Sequence, residues 1–130
     1  MSDFSKSLAI SSSALAAQAT RLRHVSENIS NADTPGYRRK TVSFEAVRDA
    51  AGTGELVKVG RVQLDQSDLT RIYDPSHPLA DETGNFDGSN VDLMIEIADA
   101  REAQRSYEAN LKMFDQARQM SSALMDLLRK

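Results

Sequence analysis

Residues 3–31 and 91–129 constrain this chain more than anything else in it. No Pro or Gly interrupts the first stretch, and none follows Gly88. Both carry apolar residues at helical spacing, so two long helices are expected, one at each end. In the first, Leu8, Leu15, Leu22 and Ile29 recur every seven residues, with Phe4 and Val25 at offset positions. A strict seven-residue repeat keeps one seam turned toward a partner. That seam is narrow, because its other inward positions are Ser11, Gln18 and Ala32. Burial contributes roughly 1.5–3 kcal/mol per Leu or Ile. Ordering costs about 1–2 kcal/mol for each of about 28 residues. The first helix is therefore expected to be marginal alone and to need company.

The second helix carries two stripes. One runs Met113, Ala117, Met120, Leu124, Leu127; the other runs Tyr107, Leu111, Phe114, then Ser121, Met125, Leu128. Val91, Met94, Ile95 and Ala98 make its upstream part apolar on one face. Gly88-Ser89-Asn90 offers an N-cap, with Asp92 in the first turn where the dipole favours negative charge. About 39 residues at 1.5 Å rise span roughly 58 Å, a rod rather than the helix of a small domain.

Between the helices, residues 37–73 read as β structure. "TVSFEAV" alternates through Val42 and Phe44. "LVKVGRVQL" places Val57 and Val59 in one phase and Val62 and Leu64 in the other, which suggests a bulge or bend at Gly60. "DQSD" (65–68) is a turn signal after which "LTRIY" is expected to pair back as a hairpin. Residues 49–55 read as a flexible connector and 74–90 as loop. The fold class is mainly α with a small β insert. Residues 1–34 and 91–130 hold the two helices, expected as one discontinuous helical domain, and 35–90 a β-hairpin and loop insert.

The corner at Pro35-Gly36 joins helix to insert. Pro35 sets φ near −65° and Gly36 tolerates φ > 0, as positions i+1 and i+2 of a type II turn demand. Pro35 also discourages helix at Thr34. Asn31, Asp33 and Thr34 are placed to satisfy the orphan carbonyls and amides of the helix end.

Composition supports a chain completed by others. Among 130 residues there are no Trp, four Phe and three Tyr, so large core anchors are scarce. The net charge of −3 argues against nucleic acid as the main partner. Residues 51–90 hold three basic against seven acidic residues, and "YRRK" (37–40) is the basic cluster, read either as a solvated strand start or as a contact to an acidic neighbouring subunit. The absence of Cys excludes thiol catalysis, disulfides and thiolate metal sites. No stretch has the roughly 18 apolar residues a membrane span requires, and the serine run 11–13 breaks any secretory signal at the N-terminus.

No catalytic, cofactor-binding or metal-ligating residue is assigned. His24 lies on the first helix off the main seam. His77 sits in a loop near Asp74 and Asp81 without a second convergent ligand set. "DETGNFDGSNVD" (81–92) fails as a calcium loop, with Phe86 where Gly is needed and Asp92 where a bidentate Glu is expected. No phosphate-binding, dinucleotide or nucleophile-elbow pattern occurs. No enzyme activity is expected.

Ser26, Asn28, Ile29, Asn31, Thr34, Pro35, Gly36, Tyr37 and Phe44 together resemble the N-terminal signature of the rod, hook and hook-associated proteins of the bacterial flagellum, roughly S-x-N-I-A-N-x-x-T-P-G-Y-[KR]-x-x-x-x-x-F, with Ser30 where Ala is usual. "YDPSHPLADETG" (73–84) is similar to the loop of the proximal rod members of that family, and "SYEANLKMFDQA" (106–117) to their C-terminal helix. The resemblance covers nearly the whole chain. It implies a structural subunit of the basal-body proximal rod in the periplasm, exported by the flagellar type III system without a cleaved signal. Its terminal helices would join a coiled-coil layer around the export channel. Implied partners are other rod subunits, further copies of itself, and membrane-ring or export-gate proteins at the rod base; nucleic acid and direct membrane insertion are not implied. Leu8, Leu15, Leu22, Val25, Ile29, Tyr107, Leu111, Phe114, Met120, Leu124 and Leu127 are expected to form the assembly interface. Alternatives are a distal rod or hook-type subunit, a self-contained helical partner-binding protein, or an enzyme using His77, Asp74 and Asp81.

Overall fold

The computed structural model describes residues 2–48, 50 and 54–129. Two helices dominate: α1 (Ser2–Ser30) and α2 (Leu93–Leu128). Between them lie six short strands, β1 (Lys40–Thr41), β2 (Phe44–Arg48), β3 (Glu55–Val59), β4 (Gln63–Leu64), β5 (Arg71–Tyr73) and β6 (Asn85–Asp87).

The helices lie side by side and antiparallel. Asn28 bonds to Glu96, Arg21 reaches Asp99 and Glu102, and Phe4 shares a groove with Met113, Ala117 and Met120. As numbers rise along α1 they fall along α2. At 1.5 Å per residue, 29 residues give α1 roughly 43 Å and 36 give α2 roughly 54 Å. The last turns of α2 therefore run on beyond the start of α1. Asp92 is the N-cap of α2, its side chain accepting from the Met94 amide. The cap thus falls two residues later than Asn90, because only Asp92 combines an extended backbone with a carboxylate in reach of that amide.

What packs between the helices is small or polar. Buried positions are Ser11, Ala17, Val25 and Asn28 on α1, and Glu96, Ala103 and Ala117 on α2. Glu96, Ala103, Asn110, Ala117 and Leu124 stand seven residues apart, so α2 has its own heptad seam made chiefly of short or polar side chains. The leucine repeat of α1 is not that seam. Leu8, Leu15 and Leu22 are half-buried and Ile29 is exposed. By helical position they lie on one flank of the contact, away from Ser13, Ala17 and Thr20, where β3 rests.

The strands form two-stranded antiparallel ladders: β1 with β4, β2 with β3, and β5 with β6. The first two continue one ribbon. Thr41 faces Gln63 and Phe44 faces Val59, so residues 42 and 43 oppose residues 60–62. One extra residue on the return strand is a bulge, and it falls at Gly60 where the apolar phase switches. A Cβ at Gly60 would meet the side chains of Ser43 (Oγ, 2.7 Å) and Glu45 (Oε1, 2.8 Å), so a larger residue there would have to displace them. The expected connector 49–55 lies largely outside the described residues.

Two expectations fail here. β5 does not pair back on β4; it pairs with β6, inside the stretch read as loop. The reason is local. Asp81 accepts bonds from Thr83 and Asn85 and closes a turn that brings Asn85–Asp87 alongside Arg71–Tyr73, where Arg71 pairs with Asp81 and Asp87. Meanwhile Asp65 is held by Arg39 and Ser67, which directs the chain toward the helices rather than into a hairpin.

The Pro35-Gly36 corner is a type II turn. The Tyr37 amide donates to Thr34 O at 3.2 Å, and Gly36 has φ 74°. Nothing lies within 4 Å of a Cβ built on Gly36, so the demand for glycine there is conformational and not steric crowding. Gly36→Ala is expected to lower stability by about 1–2 kcal/mol, the cost of placing a Cβ in the left-handed region. Gly36→Asn should cost less, since Asn tolerates the left-handed region. Thermal denaturation of both variants checks the order.

Candidate functional site

The end of α1, the turn and the entrance to α2 meet in one polar joint. Asn31 ends α1, its side-chain amide donating to Glu27 O at 2.9 Å and its carbonyl accepting from the Thr34 amide. Thr34 Oγ1 donates to Asn31 Oδ1 at 3.0 Å. Asp33 takes no part among the described hydrogen bonds. The Gly36 amide donates to the carbonyls of Asp87 and Gly88, the Asn90 amide to Tyr37 O, and Ser89 Oγ to Ala32 O. The segment leaving α1 is thus stitched by backbone bonds to the segment entering α2.

Asn28 and Glu96 sit at the centre, both with 0% exposure. Asn28 Oδ1 accepts from Tyr37 Oη at 2.8 Å and from the Lys40 amide at 2.9 Å. Its Nδ2 donates to Lys40 O at 3.0 Å and to Glu96 Oε2 at 3.3 Å. One amide therefore uses its full bonding capacity to tie α1, the turn, β1 and α2 together. Glu96 receives Arg39 Nε at 2.6 Å, and the other Arg39 nitrogens reach Asp65 at 3.4 Å and Asp99 at 3.3 Å. Burial by itself would lower the Arg39 pKa; its bonds to Glu96 and Asp65 outweigh that and raise it. Asn90 completes the joint, accepting from the Arg39 amide and donating to Asp65 O.

The basic run 37–40 therefore turns inward. Lys40 pairs with Glu27 at 2.5 Å, and Arg38 donates to the carbonyls of Asp65 and Ser67. The solvated strand start does not describe Arg39 and Lys40, whose charges are met by carboxylates of the same chain. A cleft of about 290 Å³ opens beside the joint, with Arg21, His24, Lys40 and Phe44 among its walls. Its cations are each matched by a carboxylate, and His24 Nδ1 is 3.6 Å from Glu27. His77 is used locally: its Nδ1 accepts from the Leu79 amide and its ring stacks on Phe86 at 3.9 Å. No group of three or more potential metal ligands occurs among the described residues.

The resemblance residues divide between joint and surface. Asn28, Asn31, Thr34, Pro35, Gly36 and Tyr37 build the joint. Ser26 and Ile29 are exposed on α1, and Phe44 lies on β2 at the lip of the cleft. Of the residues expected at an assembly interface, Val25 is 6% exposed and belongs to the packing within the chain. Leu8, Leu15, Leu22, Tyr107, Phe114 and Leu124 are half-buried, while Ile29, Leu111, Met120 and Leu127 are exposed. Glu96 is a joint residue that the sequence reading passed over, while Arg39 was read only within the basic cluster and Asn90 only as an N-cap candidate. The available signal was the heptad 96–103–110–117–124, which marks Glu96 as an inward carboxylate needing a cation.

Removing one member of a buried ion pair leaves the other uncompensated. Glu96→Ala is expected to cost about 3–5 kcal/mol, and Glu96→Gln less because its amide still fits Asn28; urea denaturation measures both. The joint should also respond to acid. The Lys40 ammonium holds the Glu27 carboxyl below its ordinary value, and the Ser67 amide does the same for Asp65. Groups with depressed folded pKa values contribute stability that is present above the unfolded value, about 4, and lost as pH falls through the folded one. Stability should therefore hold from neutral pH to about 4 and decline below it, more shallowly in a Lys40→Met, Ser67→Pro variant.

Comparison with known proteins matches both ends of the chain. Residues 8–38 match the flagella basal body rod protein family and residues 82–127 the flagellar basal body rod FlgEFG protein C-terminal family. The flagellar basal-body rod protein FlgC of Agrobacterium fabrum is 46% identical, with 99% of this chain and 98% of that protein covered. FlgC of Bacillus subtilis is 32% identical over 93% of this chain and 95% of its own length. FlgC of Salmonella typhimurium is 38% identical over 85% and 87%. With the paired terminal helices, the Thr34–Tyr37 turn and these full-length relatives in view, the chain belongs to the flagellar basal body rod protein family.

Proposed function

We propose that this chain is a structural subunit of the proximal rod of the flagellar basal body. The observation that carries the reading is the full-length similarity to FlgC proteins in both directions of coverage. In this reading it acts by packing and not by catalysis. It lies in the periplasm, reaches it through the flagellar type III route without a cleaved signal, and meets other rod subunits, further copies of itself, and ring or export-gate proteins at the rod base. No helix among the described residues is long and apolar enough to cross a membrane.

The physics of the helix pair supports assembly. Its internal seam of Ala, Ser, Asn and Glu buries little apolar area, while one flank presents Leu8, Leu15, Leu22, Tyr107 and Phe114 only half-covered. Apolar area left on a flank contributes stability only when a neighbour covers it. Residues 1–34 and 91–130 would then act as one helical domain whose coiled-coil packing is completed between subunits. The 35–90 insert, oriented by the joint, would lie outside that layer.

The test is localisation in purified basal bodies from cells expressing a tagged chain, with motility as a second readout. Presence of the tag in the rod supports the reading, and its absence from intact basal bodies rejects it. Leu15→Asp and Phe114→Asp should abolish incorporation while circular dichroism shows the helices retained. Gly36→Val should disrupt incorporation more than solubility, because it misdirects the insert.

A further inference from the structure

Residues 73–84 form a closed knob on the insert. Asp74 accepts from the amide and hydroxyl of Ser76, His77 Nδ1 accepts from the Leu79 amide, and the Asp74 amide donates across the base to Gly84 O. The His77 ring stacks on the buried Phe86, and the strands at the base pair chiefly with each other. A loop already held in one shape loses little freedom when it binds. What it shows outward is apolar and acidic. Tyr73 is 71% and Leu79 62% exposed. A Cβ on Gly84 would meet the Tyr73 ring at 2.9 Å and Pro75 at 3.0 Å, so the ring lies against the Gly84 backbone beside Pro75. Arg71 pairs with Asp81 and Asp87, whereas Asp74 and Glu82 join no ion pair among the described residues.

The surface that complements this knob is on α2. Arg101, Arg105 and Lys112 stand four and seven residues apart, so they share one face, turned away from the Glu96–Ala103–Ala117 seam. All three are exposed, and none joins an ion pair among the described residues. Of the nearby carboxylates, Asp99 serves Arg21 and Arg39, Glu102 serves Arg21, and Asp115 serves Arg118. With Glu108 counted against the three cations, the face keeps two positive charges in excess, opposite in sign to the two unmatched acids of the knob. Exposed Ile97 and Leu111 border it and offer apolar surface to Tyr73 and Leu79. An arginine can also stack on a tyrosine ring while bonding a carboxylate. Other exposed cations make no such face. Lys58 and Arg48 stand opposite Glu45 and Glu55 in the β2–β3 register, and Lys6, Arg23 and Arg61 stand singly.

We propose that the 73–84 knob of one copy docks on the Arg101–Lys112 face of α2 in a second copy. Glu82 and Asp74 meet the cations, and Tyr73 lies against an arginine. This deepens the rod-subunit reading and rests on it. Knob and helix face are different surfaces, so the contact is heterologous. Each copy offers both halves, and the contact repeats from copy to copy in a ring or a filament.

Sedimentation velocity of the purified full chain, across a concentration series at low and high salt, tests the contact. Self-association should weaken as salt rises, because exposed charges are screened. Glu82→Arg should weaken it about ten-fold or more, and so should Arg101→Glu with Arg105→Glu. A chain carrying all three changes should associate more tightly than the Arg101→Glu, Arg105→Glu chain, since opposite charges face each other again. Circular dichroism should show native helix content throughout. Should the two arginine changes cost helix, Glu82→Arg and Tyr73→Ser decide the matter, because both lie on the exposed knob and each should weaken association. Unchanged association in the knob variants overturns the proposal, as does a triple variant no better than the double with helices intact. A native chain that stays monomeric at every concentration overturns it too. Presence of the tagged chain in basal bodies is read separately. A chain found in the rod whose self-association ignores these charges sinks this contact alone, while absence from intact basal bodies rejects the rod reading.

Discussion

Everything in this chain turns on a carboxylate that cannot reach water. Glu96 is wholly buried, and a buried charge persists only where it is paired and hydrogen-bonded. Arg39 supplies the charge and Asn28 the remaining bond. Because Arg39 follows the Pro35-Gly36 turn and Asn28 precedes it, satisfying Glu96 fixes where α1 ends, how the chain turns and where β1 begins. A buried pair of this kind adds little net stability but penalises every alternative register of the helices. Several of the residues that carry the resemblance thus build a joint: Asn28 and Tyr37 are hydrogen-bonding parts of it, and Gly36 is the residue whose backbone permits it.

Away from the joint the helix pair is thinly held. Ala103 and Ala117 let the helices approach closely, yet short side chains bury little area. The larger apolar groups stand on the flank and at the ends. One end is anchored by specific polar bonds and the other relies on apolar surface left open. Such a division suits a subunit whose internal geometry must be definite before its outer contacts exist.

Much of this was legible in the sequence, and the misses have physical causes. Uninterrupted helical periodicity gave both helices to within two residues, and the phase switch at Gly60 located the bulge. The Thr-Pro-Gly-Tyr run marked the turn because Pro and Gly restrict backbone geometry locally. The β5–β6 pairing was missed because it depends on Asp81 closing a loop and Arg71 bridging two aspartates, interactions with no periodic signature. The leucine repeat was legible as an apolar stripe but not as a flank. Which stripe faces the partner helix depends on Glu96 and Asn28 being drawn inward, and a polar residue in a heptad reads as solvent-facing until its partner is known. Arg39 and Lys40 looked like surface charge for the same reason.

The most direct test of a joint-anchored, neighbour-completed subunit is hydrogen exchange by mass spectrometry on the dilute monomer. Protection should concentrate around Asn28, Tyr37–Lys40 and Glu96, and fall away toward the start of α1 and the end of α2. Strong, cooperative protection through the full length of both helices would contradict the account, because the pair would then be complete without neighbours.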